Sequence, residues 1–327
     1  MKNLLTTLLL LLTALPAAAQ EQWTHIENGQ LWFDTNGNAV QAHAGNFLQV
    51  GDTWYLIGED RASSWNPDVN LYSTKDFAHW TFEGKVIENG ITVPQLGRER
   101  MIERPKLLRC PATGKYVIWC HWESKNYGAS EAAVFESDSI RGPYTLVWAR
   151  RPMGVKSRDC NVFTDNDGRA YFISTTNENQ DLGLFALSDD YTRPTSHTRL
   201  LPGMRREAPA IAHVDSIYYM ISSACTGWAP NQAMLTTSAQ LQSGWTPLRP
   251  IGDETAFRTQ ASSILTIRGT EGTVHIYVGD RWMDPDLPNS KIIMFPVEFR
   301  NGEILFQYRQ SWDIDLRRGI WRESSAK

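Results

Sequence analysis

The chain of 327 residues is 42% hydrophobic, 21% charged and 11% aromatic, a globular profile that excludes disordered, collagen-like and coiled-coil classes. Its formal net charge is −4 with scattered basic residues, so it lacks the electrostatic footprint of a nucleic-acid or anionic-membrane binder. Thirteen Trp, eleven Tyr and twelve Phe occur at a mean hydropathy of −0.38, a pattern suited to stacking rings on something polar such as a sugar.

Residues 1–19 carry one Lys, a short apolar stretch from Leu4 to Leu12 and a terminal Ala17-Ala18-Ala19, the pattern of an export leader cleaved before Gln20. The stretch is too short to span a bilayer, and no later segment approaches that length. The mature chain, residues 20–327, is therefore expected to be exported, to a periplasm or the medium, without membrane insertion, and to form a single domain. Four cysteines, Cys110, Cys120, Cys160 and Cys225, match no metal spacing and form no C-x-x-C pair. Cys110 and Cys120 flank the turn at 111–115 out of register for a bridge, so mostly buried free thiols are expected.

After the leader, long amphipathic helical patterns are missing. One unit recurs five times instead: an apolar strand, a tight turn and a second strand rich in Tyr, Ile and Val, at 46–57, 106–119, 161–173, 210–221 and 263–277. A weaker outer hairpin follows each copy, as at 71–80 and 292–299. Four strands per repeat at a period near fifty residues predict an all-β chain folded as a five-bladed β-propeller. Asp165-Asn166-Asp167-Gly168 resembles the start of a calcium loop but lacks the later Glu and sits in a hairpin, so a turn is expected.

Innermost propeller strands line a central channel, and ligands sit where it opens. Just before each repeat stands one polar side chain: His43, Glu103, Asp159, Glu207 and Gln260, spaced by 60, 56, 48 and 53 residues. Three carboxylates converging on one channel cannot all keep ordinary pKa values, which is the condition for a general acid. Glycoside hydrolysis uses such an acid together with a second group that activates or replaces water. Strand alternation sends the sequence neighbours Arg104, Arg158 and Arg206 to the opposite face, so they are expected to point away from the trio.

Glu103-Arg104-Pro105-Lys106, Ser157-Arg158-Asp159, Arg206-Glu207-Ala208-Pro209-Ala210 and the 226–231 stretch Thr-Gly-Trp-Ala-Pro-Asn together resemble glycoside hydrolase family 43, in particular its exo-β-1,3-galactanase branch. The resemblance runs from about His43 to Trp312. It implies an exo-acting, inverting enzyme that removes terminal β-1,3-linked galactose from galactan or arabinogalactan. By the same resemblance Glu207 is the general acid and Asp159 tunes its pKa and orientation. The family's usual base, a first-blade Asp, is missing from Gln41-Ala42-His43. The galactanase branch shares that loss and has a fifth-blade Gln, here Gln260, preceded by Thr259 where Ser is more common.

A neutral amide accepts a proton poorly, so Gln260 acts by holding the water, or as an imidic tautomer, unless Glu103 is the base rather than a substrate ligand. The resemblance also implies that Glu59, Tyr127, Asn179 and Thr226 bond sugar hydroxyls and that Trp228 or Trp282 is a stacking platform. His43 either holds a water or a Ca²⁺ in the channel or caps a strand end, with a structural channel role favoured and no metal site or required cofactor expected. Two other readings use the same features: an α-L-arabinofuranosidase of the same fold, and a catalytically inactive carbohydrate-binding propeller.

Overall fold

A computed structural model describes residues 22–62 and 68–324; the expected leader lies outside the described residues. Among these, regular structure consists of strands and three short 3-10 turns, and no helix is long and apolar enough to cross a membrane. Strands such as Tyr116–Ser124 are rich in β-branched and aromatic residues and buried along nearly their whole length, because both faces pack against neighbouring sheets.

Five antiparallel sheets have four strands each, in simple meander order. The first blade is His43–Val50, Thr53–Glu59, Val69–Thr74 and Thr81–Ile87; the second is Arg100–Arg109, Tyr116–Ser124, Glu131–Ser137 and Thr145–Arg150. The third is Ser157–Thr164, Ala170–Thr176, Asp181–Leu187 and Pro194–Leu200. The fourth is Arg206–Val214, Ile217–Ala224, Ala233–Ser238 and Arg249–Ile251, and the fifth is Gln260–Arg268, Thr273–Arg281, Lys291–Arg300 and Glu303–Leu305. Their first strands neighbour one another in a closed ring around the channel.

Among the described residues there are six sheets, not the expected five. The sixth is a three-stranded sheet of Thr24–Glu27, Ser311–Asp315 and Ile320–Glu323, in which Ile26 faces Trp312. It packs Ile26, Trp312 and Ile314 into one core with Phe47 and Trp54 of blade one and Ile276 and Met294 of blade five, and supplies no strand to the inner ring. A count of repeats along the chain misses it because its strands come from the two ends. The four cysteines are free, three of them buried and Cys225 half-buried. Asp165–Arg169 is a hairpin turn with Gly168 at φ 83°, and the Asp165 carboxylate accepts from His213 and Tyr218 at 2.6 Å each.

One irregularity recurs in all five inner strands. Each carries one residue more than its partner strand: between His43 and Asn46, Glu103 and Lys106, Ser157 and Cys160, Glu207 and Ala210, and Ala261 and Ser263. These are β-bulges, which bend a strand and re-aim its side chains. In three of them a non-glycine residue holds a left-handed backbone, Ala44 at φ 51°, Arg104 at 51° and Ala208 at 49°. Each such residue costs about 1–2 kcal/mol, a strain concentrated at the channel mouth.

Candidate active site

The bulges surround a cavity of about 270 Å³ at one end of the channel. Of the side chains singled out in the sequence, Glu59, Glu103, Tyr127, Asp159, Asn179, Glu207, Trp228, Gln260 and Trp282 line it. Thr226 and His43 are not among its lining residues. The Thr226 hydroxyl donates to Ala229 O at 2.6 Å and accepts from Asn231 Nδ2 at 2.7 Å, shaping the loop that presents Trp228.

Glu207 is 9% exposed. Burial, and then the negative charge of Asp159, push its carboxyl up to about 8, so it is protonated at neutral pH. Its Oε1 accepts from Gln260 Nε2 at 3.0 Å, and the Cys225 thiol bonds the same carboxyl.

Arg104, expected to point away, sits at the centre of the site, because the bulge after Glu103 breaks the alternation on which that expectation rested. Its Nε donates to Asp159 Oδ2 at 2.7 Å, Nη2 to Gln260 Oε1 at 2.5 Å and Nη1 to Ala261 O at 3.1 Å. Its backbone N–H donates to Glu59 Oε1 at 2.6 Å. Burial works against the guanidinium, but Asp159, Glu207 and Glu59 outweigh it and keep it charged. Arg158 also reaches the cavity wall, where it donates to Tyr127 O and Ser130 Oγ at 3.1 Å each. Arg206 does turn away, to Ser222 and Gln232.

Gln260 is held on four sides. Its Oε1 accepts from Arg104 and from Trp282 Nε1 at 3.0 Å, and its Nε2 donates to Glu207 and to Ser223 Oγ at 3.2 Å. Trp282 packs edge-to-face on Trp228 at 4.9 Å, and the Arg61 guanidinium lies 5.2 Å from the Trp228 ring. Arg61 also pairs with Glu59, whose carboxyl is held above its ordinary value by burial, an effect that Arg61 only partly offsets. Asn179, at φ 62°, has a buried Oδ1 with no hydrogen-bond partner among the described residues, leaving an acceptor for a ligand hydroxyl.

The opposite wall holds residues that the sequence reading missed. His121 is 1% exposed, with Nδ1 3.0 Å from Glu103 Oε2 and Nε2 3.0 Å from Glu123 Oε2. Burial opposes its protonation, but the two carboxylates prevail and hold the imidazole up at about 9. Glu103 and Glu123, despite burial, are drawn down to about 2 by His121. Glu103 Oε1 also accepts from the Tyr127 hydroxyl at 2.7 Å. Ligand atoms of Glu103, His121 and Asp159 lie within 4.8 Å of one another. With both His121 nitrogens 3.0 Å from carboxylates and the ring held protonated, however, it has no lone pair for a metal ion.

Deeper in the channel Lys106 is fully buried, and its Nζ donates to the carbonyls of Ala44, Gly45 and Ser262 at 2.7–2.8 Å. Burial and the nearby Arg104 push this amine down to about 7. His43 Nδ1 is 2.9 Å from Asp280 Oδ1, whose Oδ2 accepts from Ala44 N at 2.9 Å. A Ca²⁺ in the channel would need several oxygen ligands. Lys106 already takes those carbonyls and Asp280 is engaged twice, so these residues do not fit a calcium cage and His43 reads as a strand-pinning side chain.

A family model described as glycosyl hydrolases family 43 matches residues 39–283. Among solved structures, an exo-β-1,3-galactanase from Clostridium thermocellum is 39% identical over 92% of this chain and 68% of its own, with a TM-score of 0.88. One from Phanerochaete chrysosporium, solved with β-1,3-galactotriose, is 29% identical over 92% of this chain and 71% of its own, with a TM-score of 0.86. A family 43 β-1,3-galactosidase solved with galactodeoxynojirimycin is 31% identical over 87% of this chain and 99% of its own, with a TM-score of 0.81. A search of curated proteins finds no match.

Proposed function

The chain belongs to glycosyl hydrolase family 43, and on that premise we propose that it is an exo-acting, inverting hydrolase that removes terminal β-1,3-linked galactose from galactan or arabinogalactan. The observation that carries this reading is the buried Glu207 carboxyl, held near 8 in a pocket shared with Asp159 and Gln260. A carboxyl still protonated at neutral pH can give its proton to the glycosidic oxygen as the bond breaks. A purely carbohydrate-binding protein has no use for one.

Inversion needs a water on the far face of the sugar, with the two functional groups about 6.5–9.5 Å apart. Glu207 and Gln260 are joined at 3.0 Å, so a galactosyl unit between them has to break that bond. The amide so released is the group that positions the water, and Arg104 and Trp282 keep its oxygen oriented. Glu103, near 2 and paired with His121, is a weak proton acceptor and is assigned to sugar hydroxyls instead. Export, supported by the leader pattern of residues 1–19, would bring the enzyme to its polysaccharide.

The test is to follow linear β-1,3-galacto-oligosaccharides by proton NMR, with aryl α-L-arabinofuranosides in parallel. Single α-galactose residues should appear first. Initial β-galactose would overturn inversion, hydrolysis of the arabinosides alone would favour the arabinofuranosidase, and binding without any release would favour the inactive propeller.

A further inference from the structure

His121, Glu103 and Glu123 form a closed circuit with a surface loop. Glu103 and His121 face each other across the first two strands of blade two, and Glu123 lies two residues beyond His121 on the same face. Glu123 is fully buried and does not face the cavity; its Oε1 accepts from the backbone N–H groups of Ser124 and Ala129 at 2.8 Å each, and from Ser130 N at 3.2 Å. It therefore gathers the 124–130 loop. That loop returns Tyr127, in a left-handed backbone at φ 54°, to donate its hydroxyl to Glu103.

We propose that His121 is a positioning residue whose imidazolium locks Glu103 and the Tyr127 loop into one wall of the terminal subsite, keeping Glu103 a permanent acceptor for galactosyl hydroxyls. The inference rests on the galactosidase reading above. The groups facing Glu103 are His121 on the neighbouring strand, Tyr127 on the loop, Glu59 and Arg61 from blade one, and Asp159 from blade three. Of these, His121 does most to hold the carboxyl ionised, and those facing His121 in turn are Glu103, Glu123 and Asp159. Without the ring, burial would dominate and Glu103 would take up a proton within the ordinary carboxylate range or above it.

His121→Asn retains a hydrogen-bond donor and removes the charge. It should introduce an acidic limb in kcat/KM near pH 4–5, with about a tenfold loss one pH unit below the limb, carried by KM more than by kcat. Wild type should lack that limb, and the double variant Glu103→Gln/His121→Asn should lose it again. A profile parallel to wild type in folded His121→Asn, or a limb that survives in the double variant, would overturn the proposal. Ring NMR of wild-type His121 gives a readout free of activity: the imidazolium should persist at about pH 8, and a neutral ring at pH 7 would sink the proposal. If wild type releases no galactose, the galactosidase reading fails, while the ring titration still decides whether the triad exists.

Discussion

The proton on Glu207 is controlled by side chains of opposite sign, which two substitutions can separate. Burial raises the carboxyl, Asp159 raises it further and Arg104 lowers it, with the outcome near 8 instead of 4.5. That difference corresponds to about 5 kcal/mol in favour of the protonated form. Because burial is the largest cause, Asp159→Asn should lower the value without restoring an ordinary carboxylate. A neighbouring like charge is worth about one pKa unit or more. The basic limb of kcat/KM should then fall from near pH 8 to about pH 7, a loss of about fivefold at pH 8.

Arg104→Met should move the same limb above pH 8, because the opposing cation is gone while Asp159 remains. It also frees Asp159 and Gln260 from their 2.7 and 2.5 Å bonds, so kcat should fall as well. Removing one partner of a buried ion pair costs about 3–5 kcal/mol, so the assay must run well below the lowered Tm. The measurement is initial-rate kcat/KM on β-1,3-galactobiose across about pH 5–10, with a melt at each pH. Limbs that move in the same direction in both variants, or that stay put in folded Asp159→Asn, would refute the reasoning. Stability carries the matching sign. A carboxyl held above its unfolded value stabilises the fold below about pH 4.5, and that contribution is lost as pH rises through about 8. Glu207→Gln should flatten the decline of Tm across that window.

Much of the site was legible because one polar residue precedes each apolar strand at blade spacing, and the structure brings four of those five, Glu103, Asp159, Glu207 and Gln260, to one cavity. Arg104 stood in the quoted motif and was still misplaced, since strict alternation assumes an unbroken ladder and a one-residue bulge leaves no signature in composition. His121 and Glu123 did leave one: two ionisable residues at i and i+2 in the strand Tyr116–Ser124, whose other residues before Ser124 are apolar, put charge on a single buried face. Buried charges need partners, and the Glu103 of the adjacent strand was available. Thr226 stands outside the cavity lining for a different reason. A family resemblance transfers a residue type to a position, but here a local loop bond to Ala229 occupies the hydroxyl. The sixth sheet was invisible because its register joins residues more than 280 positions apart, such as Thr24 and Ile314.

Gln260→Ala should cut kcat by at least about 10²-fold with little change in KM, whereas Glu103→Gln should act mainly on KM; the reverse pattern would return the base to Glu103. The last expectation concerns what holds the inner ring together. Lys106 Nζ joins blade two to Ala44 and Gly45 of blade one and Ser262 of blade five. Asn161 Nδ2 continues the connection from blade three to Ser262 O at 3.0 Å and to Pro209 O of blade four at 2.7 Å. In Lys106→Met, Gly45 O keeps the Ser262 hydroxyl and Ser262 O keeps Asn161, but Ala44 O loses its side-chain donor. A donor lost from one buried carbonyl costs at most about 1–3 kcal/mol, so Tm should fall by several degrees at most. Because the protein's own amine links these carbonyls, EDTA should leave the wild-type Tm unchanged. A large drop in wild-type Tm on chelation, reversed by added Ca²⁺, would show that a metal ion holds the channel and that the lysine knot is secondary.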